Sequence, residues 1–287
     1  MINAQTKKLL LKFQQNEITE HYVYKRLALL VEDDNKKVLQ KISNDEKAHY
    51  EVLKKYTGKS LKPNRWLIFK YYSLSKILGI TFAVKLMERG EELAQKAYDA
   101  AKDDVQIMSF LMRDEHRHEK ELLKMIKERR LEYMGSIVLG LNDALVELTG
   151  TLAGLSFALQ NTKLIALAGL ITGIAASFSM AASEYLSKKH ENDEEPLASS
   201  VYTGLTYIFT VLFLVFPYLI LTNYIYALIW TLTNAIGIIF IFTYFNAVTK
   251  GQSFKKLFTE MFLISMGVAA FSFVVGAVLK MWFNIDI

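Results

Sequence analysis

NDEKAHYEVL (residues 44–53) and RDEHRHEKEL (residues 113–122) decide how the first half of this 287-residue chain folds. Each holds a Glu-x-x-His pair, Glu46/His49 and Glu115/His118, inside a polar stretch of helical periodicity. Residues i and i+3 share a helix face, so each pair aims a carboxylate and an imidazole at one centre. A duplicated pair of this kind, completed by glutamates from two further helices, is the ligand set of a di-metal site inside a four-helix bundle.

Four helical stretches are expected around these motifs. The first covers about 5–31, with Leu9, Phe13, Ile18, Tyr22, Leu27 and Leu30 at three- and four-residue spacings. Glu-Asp-Asp-Asn at 32–35 marks a turn, and a second helix runs to about Tyr56, ended by Thr57-Gly58. Pro63-Asn64 opens a third stretch reaching about Ala101, and a fourth runs from Asp103-Asp104 to Tyr133-Met134-Gly135. Helix one offers Glu17 and Glu20; helix three offers Glu88, Glu91 and Glu92. Tyr24 lies seven residues after Glu17, and Tyr98 seven after Glu91, two turns along on the same face. That parallel favours Glu17 and Glu91 as ligands, with Glu20 and Glu88 as second choices. His21 and His116 fall outside the pattern and are expected on the surface. From Trp66 to Val84 the third stretch is apolar except for Lys70, Lys76 and small polar residues. A bundle helix in water should be polar on its outer face. This one is expected against a membrane, the second half of the chain or a second subunit, the alternative being an extended bundle core.

The mean hydropathy of +0.19 averages two unlike halves. Residues 1–136 hold 27 of the 34 Lys and Arg and 20 of the 29 Asp and Glu. The basic surplus is scattered among acidic residues, which argues against nucleic acid and for attraction to an anionic membrane leaflet. Zero cysteines exclude disulfides, iron–sulfur clusters and thiolate zinc sites. Carboxylate and imidazole remain as ligands, a set suited to iron or manganese rather than copper(I). MINAQTKKLLLKFQQNE carries no apolar signal run, so the first half is expected in the cytoplasm.

Five apolar stretches follow, at about 137–159, 164–186, 200–221, 224–246 and 262–283, each long enough for a hydrocarbon core of about 30 Å. Lys127, Arg129 and Arg130 precede the first, Lys188 and Lys189 follow the second, and Lys250, Lys255 and Lys256 separate the fourth from the fifth. That asymmetry places the first half inside and the C-terminus outside. Asp143 and Glu147 share a face of the first span beside Asn142, and Met180 and Glu184 repeat the i,i+4 relation on the second. An acidic residue at mid-membrane costs about 2.5–3.5 kcal/mol, so such residues mark an ion or proton path. Gly150/Gly154 and Gly169/Gly173 suit close helix packing, and Pro217 is expected to kink the third span.

The order Glu, Glu-x-x-His, Glu, Glu-x-x-His over residues 5–132 resembles the ferritin-like family, rubrerythrins in particular. The resemblance implies two iron ions, with manganese or zinc as alternatives, among Glu17, Glu46, His49, Glu91, Glu115 and His118. The run GSIVLGLNDALVELTGTLAGLSFAL…GLITGIAASFSMAASEYLSKK (135–186) resembles the vacuolar iron transporter family. That resemblance implies a homodimer that moves Fe(II) or Mn(II) out of the cytosol in exchange for protons, with Asp143 and Met180 on the path; Glu147 and Glu184 are expected on it as well, Glu184 near its cytoplasmic entrance. Plant members carry a metal-binding helical segment between spans two and three; here only Ser187–Ser199 joins them. The expected fold is all-α, a cytoplasmic ferritin-like four-helix bundle (1–134) followed by a five-helix transmembrane domain (135–287). The combination resembles membrane-bound ferritins. An iron exporter of the cell membrane is the leading expectation; a membrane-anchored di-iron ferroxidase or peroxide-consuming oxidase is the alternative.

Overall fold

The computed structural model describes residues 4–98, 114, 117, 118, 122 and 133–283; the expected fourth helix lies largely outside them. The regular elements among the described residues are all helices, and the chain divides into two compact units, Met1–Glu128 and Arg129–Ile287.

In the first unit, α1 (Ala4–Leu27) packs along α2 (Asp33–Thr57). Gly58 ends α2 in the left-handed region at φ 68°, its N–H closing on Lys54 O, as the Thr57-Gly58 signal requires. The expected long third helix is two helices, α3 (Arg65–Leu78) and α4 (Ile80–Tyr98). Gly79 separates them at φ 93°, ψ 159°, a conformation in which a Cβ would be strained. Hydropathy runs straight through this position, so periodicity alone does not reveal the break. Asn64 starts α3 by accepting the N–H groups of Trp66 (3.1 Å) and Leu67 (3.2 Å).

The apolar core of this unit joins Val23, Tyr24 and Leu27 of α1, Leu39 and Ile42 of α2, Ile68 of α3, and Ile80, Val84 and Met87 of α4 with Leu122. Polar clasps fix the register beside it. Thr57 Oγ1 donates to Gln14 Oε1 at 2.7 Å, and Gln14 Nε2 to Lys59 O at 2.7 Å. His21 is buried, contrary to its expected surface position. Its Nδ1 donates to Ser43 O at 2.6 Å and Ser43 Oγ donates to His21 O at 2.9 Å, so it clamps α1 to α2.

Among its described residues the second unit has five helices long and apolar enough to cross a membrane: α5 (Met134–Leu159), α6 (Thr162–His190), α7 (Pro196–Ile220), α8 (Tyr224–Lys250) and α9 (Phe254–Phe283). Each helix extends the expected span at one end or both, α9 beginning eight residues earlier, while α7 stops one residue short of the expected 221; the α6–α7 connection shrinks to 191–195. Pro217 lies inside α7, three residues before its end. Helix α5 is central and packs on the other four. Both glycine pairs serve close packing. A Cβ at Gly154 would stand 3.0 Å from Ser272 O, one at Gly276 would meet Gly154 O, and one at Gly173 would lie 2.6 Å from Val211 Cγ1.

Candidate metal centre

Three helical segments of the first unit bring their polar side chains to one buried point. Glu17 comes from α1, Glu46 and His49 from α2, and His118 from the segment carrying the second motif; they are 4%, 1%, 3% and 2% exposed. One ligand atom from each of Glu17, Glu46 and His49 lies within 4.8 Å of the others. His49 Nδ1 stands 3.3 Å from Glu17 Oε2 and 3.4 Å from Glu46 Oε2. His118 Nδ1 stands 3.1 Å from the other Glu46 oxygen, Oε1. Glu46 thus reaches both imidazoles, whose rings stack at 5.8 Å.

The far nitrogens explain why the near ones face inward. His49 Nε2 meets Asp114 Oδ2 at 3.2 Å, and His118 Nε2 meets Asp45 Oδ2 at 3.1 Å. A carboxylate accepts but does not donate, so each Nε2 carries the proton. Each Nδ1 lone pair then points at a glutamate oxygen, and two such acceptors 3.1–3.4 Å apart need a cation between them, a proton or a metal ion. Arg117 ties the two aspartates together, 3.1 Å from Asp114 Oδ1 and 3.3 Å from Asp45 Oδ2. With a proton on each Nδ1 as that cation, burial pushes the Glu46 carboxyl up in pKa, but hydrogen bonds with His118, His49 and Glu17 and the charge of His118 outweigh it and hold it at about 2. Glu46 is therefore an anion at neutral pH. Oxygen and imidazole donors in a dry pocket fit a hard or borderline divalent ion.

Of the expected ligands, Glu17, Glu46, His49 and His118 come together. Glu20 lines a separate cavity of about 150 Å³ with Asn16, Thr19, Val23, Leu67, Tyr71, Met87 and Gly90. Glu88 is half-buried on α4. Glu115, His116 and the side chains of Glu91, Glu92 and Tyr98 lie outside the described residues. Asp45 and Asp114 are the participants that motif reading passes over. Their signal is present in the sequence, since an aspartate immediately precedes the glutamate of both motifs. That each serves the histidine of the other motif is visible only in three dimensions.

In the second unit the expected path residues have three different surroundings. Asp143 and Asn142 line an open groove of about 470 Å³ between α5 and α9, with Gly135, Val138, Leu139, Val146, Met261 and Ile264. Asn142 Oδ1 is buried there without a hydrogen-bond partner among the described residues. Glu147 accepts from the buried Tyr207 hydroxyl of α7 at 2.6 Å. Glu184 is buried and accepts from Ser136 Oγ of α5 at 2.6 Å, so it ties α6 to α5 rather than standing open at a mouth. Met180 packs against the apolar core. Met261, absent from the sequence reading, places a thioether in the groove with Asp143.

Residues 134–196 match the VIT family. The VIT segment comprises α5, α6 and the first residue of α7, and so contains Asp143, Glu147, Met180 and Glu184. No curated protein and no solved structure matches the chain. Five helices long and apolar enough to cross a membrane, two of them within the segment similar to the VIT family, are those of a multi-pass membrane protein.

Proposed function

We propose that the chain exports Fe(II), with Mn(II) as a second cargo, across the cell membrane, and that residues 1–134 form a ferritin-like bundle that captures or senses the metal in the cytosol. The convergence of Glu17, Glu46, His49 and His118 on one buried point, in a chain that also carries a VIT segment, supports this reading. Glu91 and Glu115 complete the ligand set, with Glu20 and Glu88 as second choices. Iron is the resident metal of this reading; manganese and zinc suit the same donors. When bound it supplies Lewis acidity and, as iron, one-electron chemistry. The protein's part is to keep the pocket dry, hold Glu46 anionic and fix both imidazoles through Asp45 and Asp114.

In the membrane, Asp143 with Met261, Glu147, Met180 and Glu184 would line or support the path, and the same carboxylates would carry the counter-moving protons. The lysine and arginine distribution supports a cytoplasmic N-terminus and an exoplasmic C-terminus, and the VIT resemblance supports a homodimer. Metal flux in proteoliposomes with an imposed pH gradient tests the proposal: wild type transports Fe(II), and Asp143→Ala does not. Equal flux by the two proteins rejects the path.

A second reading has its own support. Each histidine is braced by an aspartate, which suits holding a metal permanently better than handing it on. A ferroxidase or peroxide-consuming oxidase would consume oxygen rapidly on Fe(II) addition and show no flux.

A further inference from the structure

Helix α3 binds the bundle with one side only. Ile68 and Ser75 are buried, and Leu67 and Tyr71 line the cavity shared with α1 and α4. On the opposite side Trp66, Phe69 and Ile77 are 66%, 64% and 72% exposed, on the face that also holds Lys70, Ser73 and Lys76. Isolated exposed apolar residues need no explanation, but a large aromatic and aliphatic stripe along one helix face does.

The charges identify the occupant. From Val52 to Met87 the chain has no Asp or Glu, yet eight Lys and Arg: Lys54, Lys55, Lys59, Lys62, Arg65, Lys70, Lys76 and Lys85. Lys70 Nζ lies 5.7 Å from the Trp66 ring and 5.2 Å from the Tyr71 ring, and Lys76 Nζ lies 4.9 Å from the Tyr72 ring. Both ammonium groups thus sit over aromatic rings of α3, and long basic side chains of this kind can lie along apolar surface while their charge reaches the headgroups. A second copy of α3 would place these like charges against one another, since a two-fold interface opposes a patch with itself. An anionic lipid surface has the complementary charge, and an amphipathic helix with aromatic and basic residues suits the boundary between headgroups and acyl chains. The five spans of the same chain keep such a surface permanently at hand. We infer that the Trp66–Phe69–Ile77 face of α3 lies on the anionic headgroup region of the bilayer in which the chain is embedded, anchoring the N-terminal unit to the membrane. The inference rests on the chain being a membrane protein, not on what it transports.

The test uses the full-length chain, whose lack of cysteine allows single labels. Spin labels are placed at Phe69→Cys, Ile77→Cys and, as an exposed control on α2, Lys47→Cys, in nanodiscs of anionic or zwitterionic phospholipid. In anionic discs the labels at 69 and 77 should be reached by oxygen in preference to a water-soluble nickel complex, and the label at 47 the reverse. The docked-to-undocked ratio should fall at least tenfold, about 1.4 kcal/mol, in zwitterionic lipid. Labels at 69 and 77 that behave like the label at 47 overturn the inference. So does dipolar broadening that disappears on dilution with unlabelled chain, since that assigns the face to a second copy. Docking that is indifferent to lipid charge overturns the anionic assignment.

Discussion

Replacing Asp114 isolates the bracing of the proposed metal centre from its proposed ligands. Asp114→Ala removes the acceptor 3.2 Å from His49 Nε2 and one of the two carboxylates held by Arg117. His49 keeps its glutamate neighbours but loses the group that fixes its tautomer and ring orientation. Losing such a partner lowers metal affinity by about 10–100-fold, or about 1.4–2.8 kcal/mol. Asp114→Asn still offers an oxygen to Nε2–H but gives up the charge, which contributes about half the strength of such a bond, so it should fall at the mild end. Asp45→Ala should produce the same loss through His118. Asp34→Asn, on an exposed pair with Lys37, is the control and should change nothing. Anaerobic calorimetric titration of the metal-free full-length protein with Mn(II) or Fe(II) measures all four. Wild-type affinity in Asp114→Ala, with unfolding temperature unchanged, would refute the argument that the aspartates orient the imidazoles.

Other consequences concern the fold. The Glu46 pKa lies below its ordinary value, so the stability it contributes is present above about pH 4.5 and is lost as pH falls towards about 2. The metal-free wild type should therefore lose stability over that window in a thermal-unfolding series, and Glu46→Gln should show a flatter profile there. Gly154→Ala places a methyl group 3.0 Å from Ser272 O and should destabilise the second unit by about 1–3 kcal/mol, read as detergent-resistant unfolding temperature. Asn64→Ala removes the acceptor for two N–H groups of α3 and should cost about 0.5–2 kcal/mol in denaturant titration, a loss that Asn64→Ser largely avoids.

Much of this architecture is legible in the sequence because its signals are local. Apolar runs longer than a bilayer declare the spans, and Glu-x-x-His spacing declares a face with two ligand types. Both signals need only the helical repeat. The misses share the opposite character. Gly79 breaks the third stretch through its backbone dihedral, which hydropathy does not register. His21 is buried because Ser43, a full helix away, offers both a carbonyl and a hydroxyl. Asp45 and Asp114 act across the centre, each on the histidine of the other motif, so the pairing follows from helix packing and not from spacing. Glu184 has a sequence signal, but only its neighbour Ser136 shows that the carboxylate is occupied as a helix tie.

The glycine contacts between α5 and α9 also set an order of events. Gly154 and Gly276 meet backbone to backbone, although three membrane helices separate α5 from α9 along the chain. During translation the α5 stripe, Gly150 and Gly154 together, waits in lipid while three intervening helices are made. Closure of this stripe thus needs the thirty-residue helix α9, and a nascent chain halted before Phe254 lacks that partner. Ribosomal stalling or premature termination there would leave an open helix surface prone to wrong pairing, so the arrival of α9 governs whether the α5 stripe is covered.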